Sequence, residues 1–462
     1  MAGKVVVIGS GIGGSGAGAL LASAGYDVTL FESQPFSGGR CASLEKGGFR
    51  YDIGVHMFSR ADRGPIGEIN RCLGGDLTWI HRNPPCRVMG RVEFDFPLDI
   101  RPLGTQINIA RSLGVKPKHY LGAFRLFRSL LRGTGVQRND EIMLRDYIHR
   151  YTDDDVIHLF MNCISQLYFA LSYNESSAGE FIWSFSRMFN DAAFGYPTGA
   201  GGEITDSFLR SGGRWGMKVR FEEQVRRIIV KRGLVWAVET DRGTCRADIV
   251  VSNAGLLNTI RLAGEEHFPD DYVAKAEGYV DSNAYVTIKY ALERPVISYP
   301  VVFYMPSGDP RGVFDYIRQG RVPEDPYIFM PVPSNHDPRL APPGMQLVIA
   351  GTAVPSDASD ELCRAVQDSI HRKVCELFPD LEGAIIWQLR STGRDVAELT
   401  GHRRGECIGL GQTPSQVGEL RPSMKTPVQG LWLVGADAGA RGIGTEIAAG
   451  SALSLSAVLN PR

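Results

Sequence analysis

Residues Val5 to Tyr26 form a 22-residue stretch with no charge, and seven of those residues are glycine. Such a run has the length of a membrane span, but so many glycines make a lipid-facing helix a poor solution. The residue order suggests a different division. Lys4 to Gly9 is a β-branched run suited to a buried parallel strand, an Ala- and Leu-rich helix of about ten residues follows, and Tyr26 to Glu32 reads as a second strand. Between strand and helix lies Gly9-Ser10-Gly11-Ile12-Gly13-Gly14, a G-x-G-x-x-G turn. In that setting Gly9 permits the tight turn, Gly11 lets a pyrophosphate approach the backbone, and Gly14 lets the helix pack on the strand. Ile12 and Gly13 open the helix, whose N-terminus favours phosphate charge. Glu32 stands 18 residues beyond Gly14, where a carboxylate accepts bonds from both ribose hydroxyls of an adenosine.

The strand, glycine and helix theme returns twice. Lys218 through Val230, Val235 to Glu239 and Ala247 to Ser252 are strand-like, with a hairpin signal at Lys231-Arg232-Gly233. Near the C-terminus Leu431 to Val434 precedes a glycine-rich loop, and Thr445 to Leu459 has helical composition. One nucleotide-binding domain assembled from separated blocks is the predicted arrangement. The intervening material differs: 61 to 190 is helical and aromatic-rich, and 281 to 352 alternates strands with Pro-rich turns. The chain of 462 residues allows two or three domains, and a formal net charge of −1 offers no global field for nucleic acid. Eight scattered cysteines without a Cys-x-x-Cys pair point to a reducing compartment and no structural metal. No other stretch approaches membrane-spanning length, so the expected location is the cytoplasm, with peripheral membrane contact open.

Which dinucleotide binds is indicated by the residues that follow the second strand. Gly38-Gly39-Arg40 and then Phe49-Arg50-Tyr51-Asp52-Ile53-Gly54-Val55-His56 resemble the G-G-[RK] and F-x-x-D-x-G-x-H segments of phytoene desaturases and flavin amine oxidases. The resemblance implies FAD as cofactor, with Gly39 and Arg40 on the diphosphate side and the backbone of Gly54, Val55, His56 and Met57 along the isoalloxazine. Val225, in Phe221-Glu222-Glu223-Gln224-Val225, matches the family's adenine-side strand. Ala247 to Gly255 is similar to the family segment that returns the chain to the sheet. Gly430 to Glu446 resembles the closing flavin signature, which implies roles for Gly435, Asp437, Gly444 and Thr445 beside the flavin. Backbone N–H groups near Gly444 and Thr445 would then stabilise negative charge on the pyrimidine ring. Asp437 reaches the ribityl or diphosphate in this reading. Glu446 either caps its own helix, the favoured alternative, or acts with His56 as a catalytic acid or base. Pro333 to Gly344 resembles a desaturase turn, P-S-x-x-D-P-x-x-A-P-x-G, with a structural role.

The fold class implied is α/β: a discontinuous Rossmann-type FAD-binding domain (1–60, 191–260 and 425–462) with a mixed α+β substrate domain (61–190 and 261–424). Ten of the 37 residues from Phe160 to Tyr196 are aromatic, against 9 % overall, which suits a hydrophobic substrate; Tyr168, Phe169, Trp183 and Phe185 are the candidate contacts. Between 111 and 132, six basic residues and no acidic one accompany Tyr120, Phe124, Phe127 and Leu131 at helical spacing, a pattern that would dock on an anionic bilayer. No aromatic residue and no cysteine occurs from Ala436 to Ala449, which argues against an amine-binding aromatic cage from that segment. The expectation is an FAD-dependent oxidoreductase acting on C–C or C=C bonds of a long apolar unsaturated molecule by desaturation, saturation or isomerisation. A flavin amine or amino-acid oxidase, and a non-enzymatic flavin-containing isoprenoid carrier, are the alternatives. The oligomeric state is not legible.

Overall fold

The computed structural model describes residues 3–54, 57–309, 311–401, 404–439 and 441–460. A five-stranded parallel sheet is built from β1 (Lys4–Ile8), β2 (Asp27–Phe31), β3 (Lys218–Arg220), β4 (Ile249–Ser252) and β5 (Leu431–Leu433), in the order β5-β4-β1-β2-β3. Strands adjacent in space come from chain ends and middle: Val5 pairs with Val28 on one side and Ile249 on the other, and Val250 pairs with Leu431. Val5, Val6 and Val7 are all buried, as expected of a central parallel strand covered on both faces. Helix Ile12–Ser23 is buried from Ile12 to Ala22 and packs against helices Gly444–Leu459 and Glu203–Arg214. A charge anywhere on it would be desolvated, which accounts for the uncharged N-terminal stretch.

The strand read from Lys218 through Val230 is two strands. Lys218–Arg220 extends the parallel sheet beside β2, whereas Val225–Lys231 begins an antiparallel three-stranded ribbon with Leu234–Thr240 and Gly243–Arg246. Glu222, at φ 54, makes the break. At the hairpin Arg232 and Gly233 have φ 52 and 77, the double positive φ that matches strand twist in a tight hairpin.

A second sheet has seven strands, in the order Ile385–Ser391, Ala284–Leu292, Gln346–Val354, Ile328–Pro331, Val301–Met305, Cys86–Gly90 and Phe94–Phe96. The last two come from the segment read as helical. They form because Val88 finds Phe303 as a parallel neighbour, a pairing more than 200 residues away that no local pattern announces. Apart from the short strand Trp79–Ile80, which pairs with Tyr196–Pro197, the other elements of that segment are helices. Helix Tyr120–Arg132 turns Ala123, Leu126, Phe127 and Leu130 inward against helix Ala178–Asp191. Asp154 accepts from the N–H groups of Val156 and Ile157, and Ser177 accepts from that of Glu180, capping helices Asp155–Phe169 and Ala178–Asp191. No helix among the described residues is long and apolar enough to cross a membrane.

Candidate functional site

A cleft runs along the C-terminal ends of the parallel strands, where open α/β sheets bind ligands. Its lining draws on Gly11, Ile12 and Gly13; Gly39 and Arg40; Gly54 and Met57; Gly435 and Asp437; and Gly444 and Thr445. Segments far apart in sequence thus meet at one surface. Gly9, at φ 89, makes the turn after β1, and its N–H donates to the Phe31 carbonyl at 2.8 Å. A Cβ on Gly14 would lie 2.0 Å from the Gly9 carbonyl oxygen, and one on Gly13 would lie 2.7 Å from the backbone N of Gly435. These glycines therefore set how closely the helix approaches the strand and how closely the first and last loops approach each other.

Two helices open onto the cleft with no side-chain cap: Ile12–Ser23, after Gly11, and Gly444–Leu459, after Ile443. Their first-turn N–H groups are the kind of donors that accept a diphosphate or a developing anion. A third helix, Leu256–Ala263, is differently arranged, because the Asp437 carboxylate accepts its Leu256 N–H at 3.1 Å. Arg40 is held half-buried by the Glu406 carbonyl at 3.0 Å, with its positive head at the cleft. Glu32 is buried, and its two carboxylate oxygens accept from Ser10 N–H, Ser10 Oγ, Ser33 Oγ and Gln34 N–H. The two hydroxyl donors rotate away at little cost, so the carboxylate retains sites for a diol while the amides hold it in place.

Several side chains that shape the cleft escaped the sequence reading. Asn253 lies between the first and last glycine loops, 2.6 Å from where a Gly11 Cβ would be and 2.8 Å from that of Gly13. Tyr285, Thr287 and Phe329 arrive from the second sheet, and Cys407 and Ile408 from a loop. Aromatic residues therefore do reach the cleft, though from elements other than the C-terminal segment. Buried Lys289 donates to the Ile53 carbonyl, Thr287 Oγ1 and Ser391 Oγ, each at 2.9 Å. Burial pulls its ammonium down from the ordinary lysine value to about 8. Asp52 accepts from Ser43 Oγ, Gly201 N–H and the Tyr196 hydroxyl, which ties the segment leading into Gly54 to a neighbouring loop.

Other expected residues lie elsewhere. Val55 and His56 are outside the described residues. Val225 is buried in the core beneath the ribbon and does not line the cleft. Of the four substrate candidates only Tyr168 lines it; Phe169 and Phe185 are core residues, and the Trp183 ring lies within 6 Å of the guanidinium groups of both Arg60, at 5.9 Å, and Arg187, at 5.8 Å. Glu446 does not cap its own helix: its carboxylate takes Ser59 Oγ at 3.2 Å and lies 3.5 Å from Arg60. Rather than closing the helix end, the side chain points to a neighbouring cation that offsets its burial. It does not line the cleft, and burial raises its carboxyl to about 7. Away from the cleft, His149, Asp153 and His158 bring ligand atoms within 4.8 Å, but both His158 nitrogens already face Tyr173 Oη and the Thr152 carbonyl.

A family profile described as flavin containing amine oxidoreductase matches residues 17–457. The chain belongs to that family. Its cofactor is accordingly FAD, and the two uncapped helix ends, the glycine-lined approach and the Glu32 carboxylate fit an extended flavin dinucleotide. Among curated relatives of this family member, a zeta-carotene-forming phytoene desaturase of Myxococcus xanthus is 27 % identical, over 94 % of this chain and 89 % of that protein. A 1-hydroxycarotenoid 3,4-desaturase of a Flavobacterium species is 23 % identical, over 94 % of each. An oxidoreductase from Methanosarcina mazei has the same fold, with TM-score 0.75, 21 % identity and coverage of 98 % and 99 %. So does putrescine oxidase, with TM-score 0.70, 15 % identity and full coverage of both chains. As a member of the family the chain is an FAD-dependent oxidoreductase of the phytoene desaturase-like kind.

Proposed function

We propose that this chain acts on C–C or C=C bonds of a long apolar unsaturated molecule of carotenoid, isoprenoid or fatty-acyl type, by desaturation, saturation or isomerisation. One observation carries the reading: Met57, Leu167, Tyr168 and Phe329 border both the cleft and an adjoining second lobe, which is lined by apolar and aromatic side chains with no charged residue. Such a lobe recognises a substrate by shape and apolar area rather than by charge. The carotenoid desaturase names of the relatives point the same way. Bound FAD supplies a two-electron acceptor. In this reading residues 1–60, 191–260 and 425–462 hold that cofactor, and 61–190 and 261–424 take the substrate.

The protein's own groups position and insulate. The Gly13 to Gly14 turn and Arg40 hold the diphosphate, and the free amides of Gly444 and Thr445 stabilise anionic charge at the pyrimidine end. Met57 and Tyr168, at the junction of cleft and lobe, hold the reacting bond in place and exclude water. Glu446 acts from behind the helix N-terminus. Val225 supports the adenine side through its strand.

Entry from a bilayer is part of the same reading. Arg111, Lys116, Lys118, Arg125, Arg128 and Arg132 are exposed, as are Leu103, Ile107 and Leu121 on the neighbouring surface. This pairing of cations with apolar side chains suits an anionic lipid surface, and cosedimentation with anionic but not neutral vesicles is the expected result.

The test of function is anaerobic mixing of flavin-loaded protein with a polyene panel and an amine panel. Bleaching of the oxidised flavin's visible absorbance by polyenes, with altered double bonds in the recovered lipid, is expected. Bleaching or peroxide release with amines alone would overturn the reading.

A further inference from the structure

The second lobe has an aromatic wall that the sequence reading did not assign. Its cavity is small, about 30 Å³. Four residues, Met57, Leu167, Tyr168 and Phe329, border both the lobe and the main cleft, and so form the neck between them. Beyond the neck the lobe is bounded by Phe96, Phe160 and Phe189, all buried. Phe96 stacks on Phe160 with centroids 6.2 Å apart, and its ring lies 6.0 Å from that of Phe189. Phe189 is backed in turn by Phe185 at 4.4 Å. Each ring of this wall is braced by another ring and by the close-packed core behind it, so it has little room to yield.

Resting on the function proposed above, we propose that Phe96, Phe160 and Phe189 form a gauge that limits how long an apolar arm the substrate can pass beyond the neck. The physical basis is the balance between burial and overpacking. Each methylene that enters the lobe strengthens binding by about fourfold, and the first carbon to meet the braced rings forfeits that gain and strains the core. Selection by length follows without any polar contact, in a lobe that offers none from a charged side chain.

The test uses flavin-loaded full-length protein and a homologous series of linear isoprenoid hydrocarbons that differ by one isoprene unit. Binding is read from perturbation of the flavin spectrum and turnover from kcat/KM. The wild type is expected to bind more tightly with each added unit up to one length and no further. Phe160→Ala is expected to move that limit to a longer member, improving binding of the first excluded hydrocarbon by about tenfold or more, with shorter members changed by less than about twofold. Phe160→Leu and Phe189→Leu, which remove less volume, give the same shift on a smaller scale and serve if the alanine variant fails to fold. A folded, flavin-containing variant with an unchanged limit would overturn the gauge while leaving the proposed function intact. Failure of the wild type to bind any member would overturn the proposed function, and the gauge with it.

Discussion

Glu180 accepts a hydrogen bond from the backbone N–H of Gly442 at 2.7 Å, and its other carboxylate oxygen lies 2.9 Å from the Arg441 guanidinium. Glu180 sits in the first turn of helix Ala178–Asp191 in the aromatic-rich region, whereas Gly442 lies just before the helix whose uncapped start lines the cleft. The contact locks the two regions together. Asp140 completes it by pairing with Arg441 at 2.6 Å.

Removal of this anchor is expected to loosen the loop that leads into the cleft. Burial pushes the Glu180 carboxyl up, against the opposing pull of Arg421 and Arg441, so the neutral Glu180→Gln, which still accepts from Gly442, is expected to be mild. Glu180→Ala leaves Arg441 with Asp140 alone and is expected to cost about 3 kcal/mol. Denaturant titration measures the cost, and flavin retained through gel filtration measures the loop.

The glycine turn offers a paired test. A methyl group at Gly13 meets the backbone of Gly435 at 2.7 Å, but one at Gly16 meets side chains alone, the movable end of Ile69 at 3.0 Å and the Ala452 methyl at 3.3 Å. Gly13→Ala is therefore expected to yield folded protein without bound flavin. Gly16→Ala should keep the flavin and shift stability by no more than about 1 kcal/mol. Visible absorbance of the purified variants distinguishes them.

Glu446 should leave a signature in acid. Its carboxyl titrates at about 7 in the folded protein against 4.5 ordinarily, chiefly through burial. Between those values the folded state holds a proton that the unfolded state has lost, so this group makes stability fall as pH rises from about 4.5 to about 7. The difference is on the order of 3 kcal/mol. Glu446→Gln is expected to flatten that part of the curve, measured by denaturation across the same window.

Lys289 acts with the opposite sign at alkaline pH. Its ammonium titrates at about 8 instead of 10.5, so between those values the unfolded chain holds the proton and stability rises with pH. Subtracting the stability curve of Lys289→Met from that of the wild type should isolate this slope. The variant also leaves the Ile53 carbonyl without its donor, and weaker flavin binding is the expected companion.

Much of the cofactor half was legible because its chemistry is local. A tight turn, a close backbone approach and a helix N-terminus each demand glycine at a fixed offset, so the places of Gly9, Gly11, Gly13 and Gly14 in the turn could be read from their order in the sequence. Gly435 and Gly444 could be found for the same reason. Asn253 was within a recognised segment, but its place between the two glycine loops depends on how those loops converge.

The substrate half was not legible, because its composition has two uses. Aromatic residues at helical spacing serve a core and a cavity equally well, and only packing separated Tyr168 at the cleft from Phe169 and Phe185 in the interior. Strand Cys86–Gly90 exists through a partner in Val301–Met305, and Glu446 turned from its own helix end toward Arg60. The sequence by itself determined the cofactor class and the parallel sheet, since local backbone geometry requires particular residues at particular steps. Tertiary structure alone decided which apolar and charged side chains border the cleft, since burial and pairing are set by neighbours hundreds of residues away.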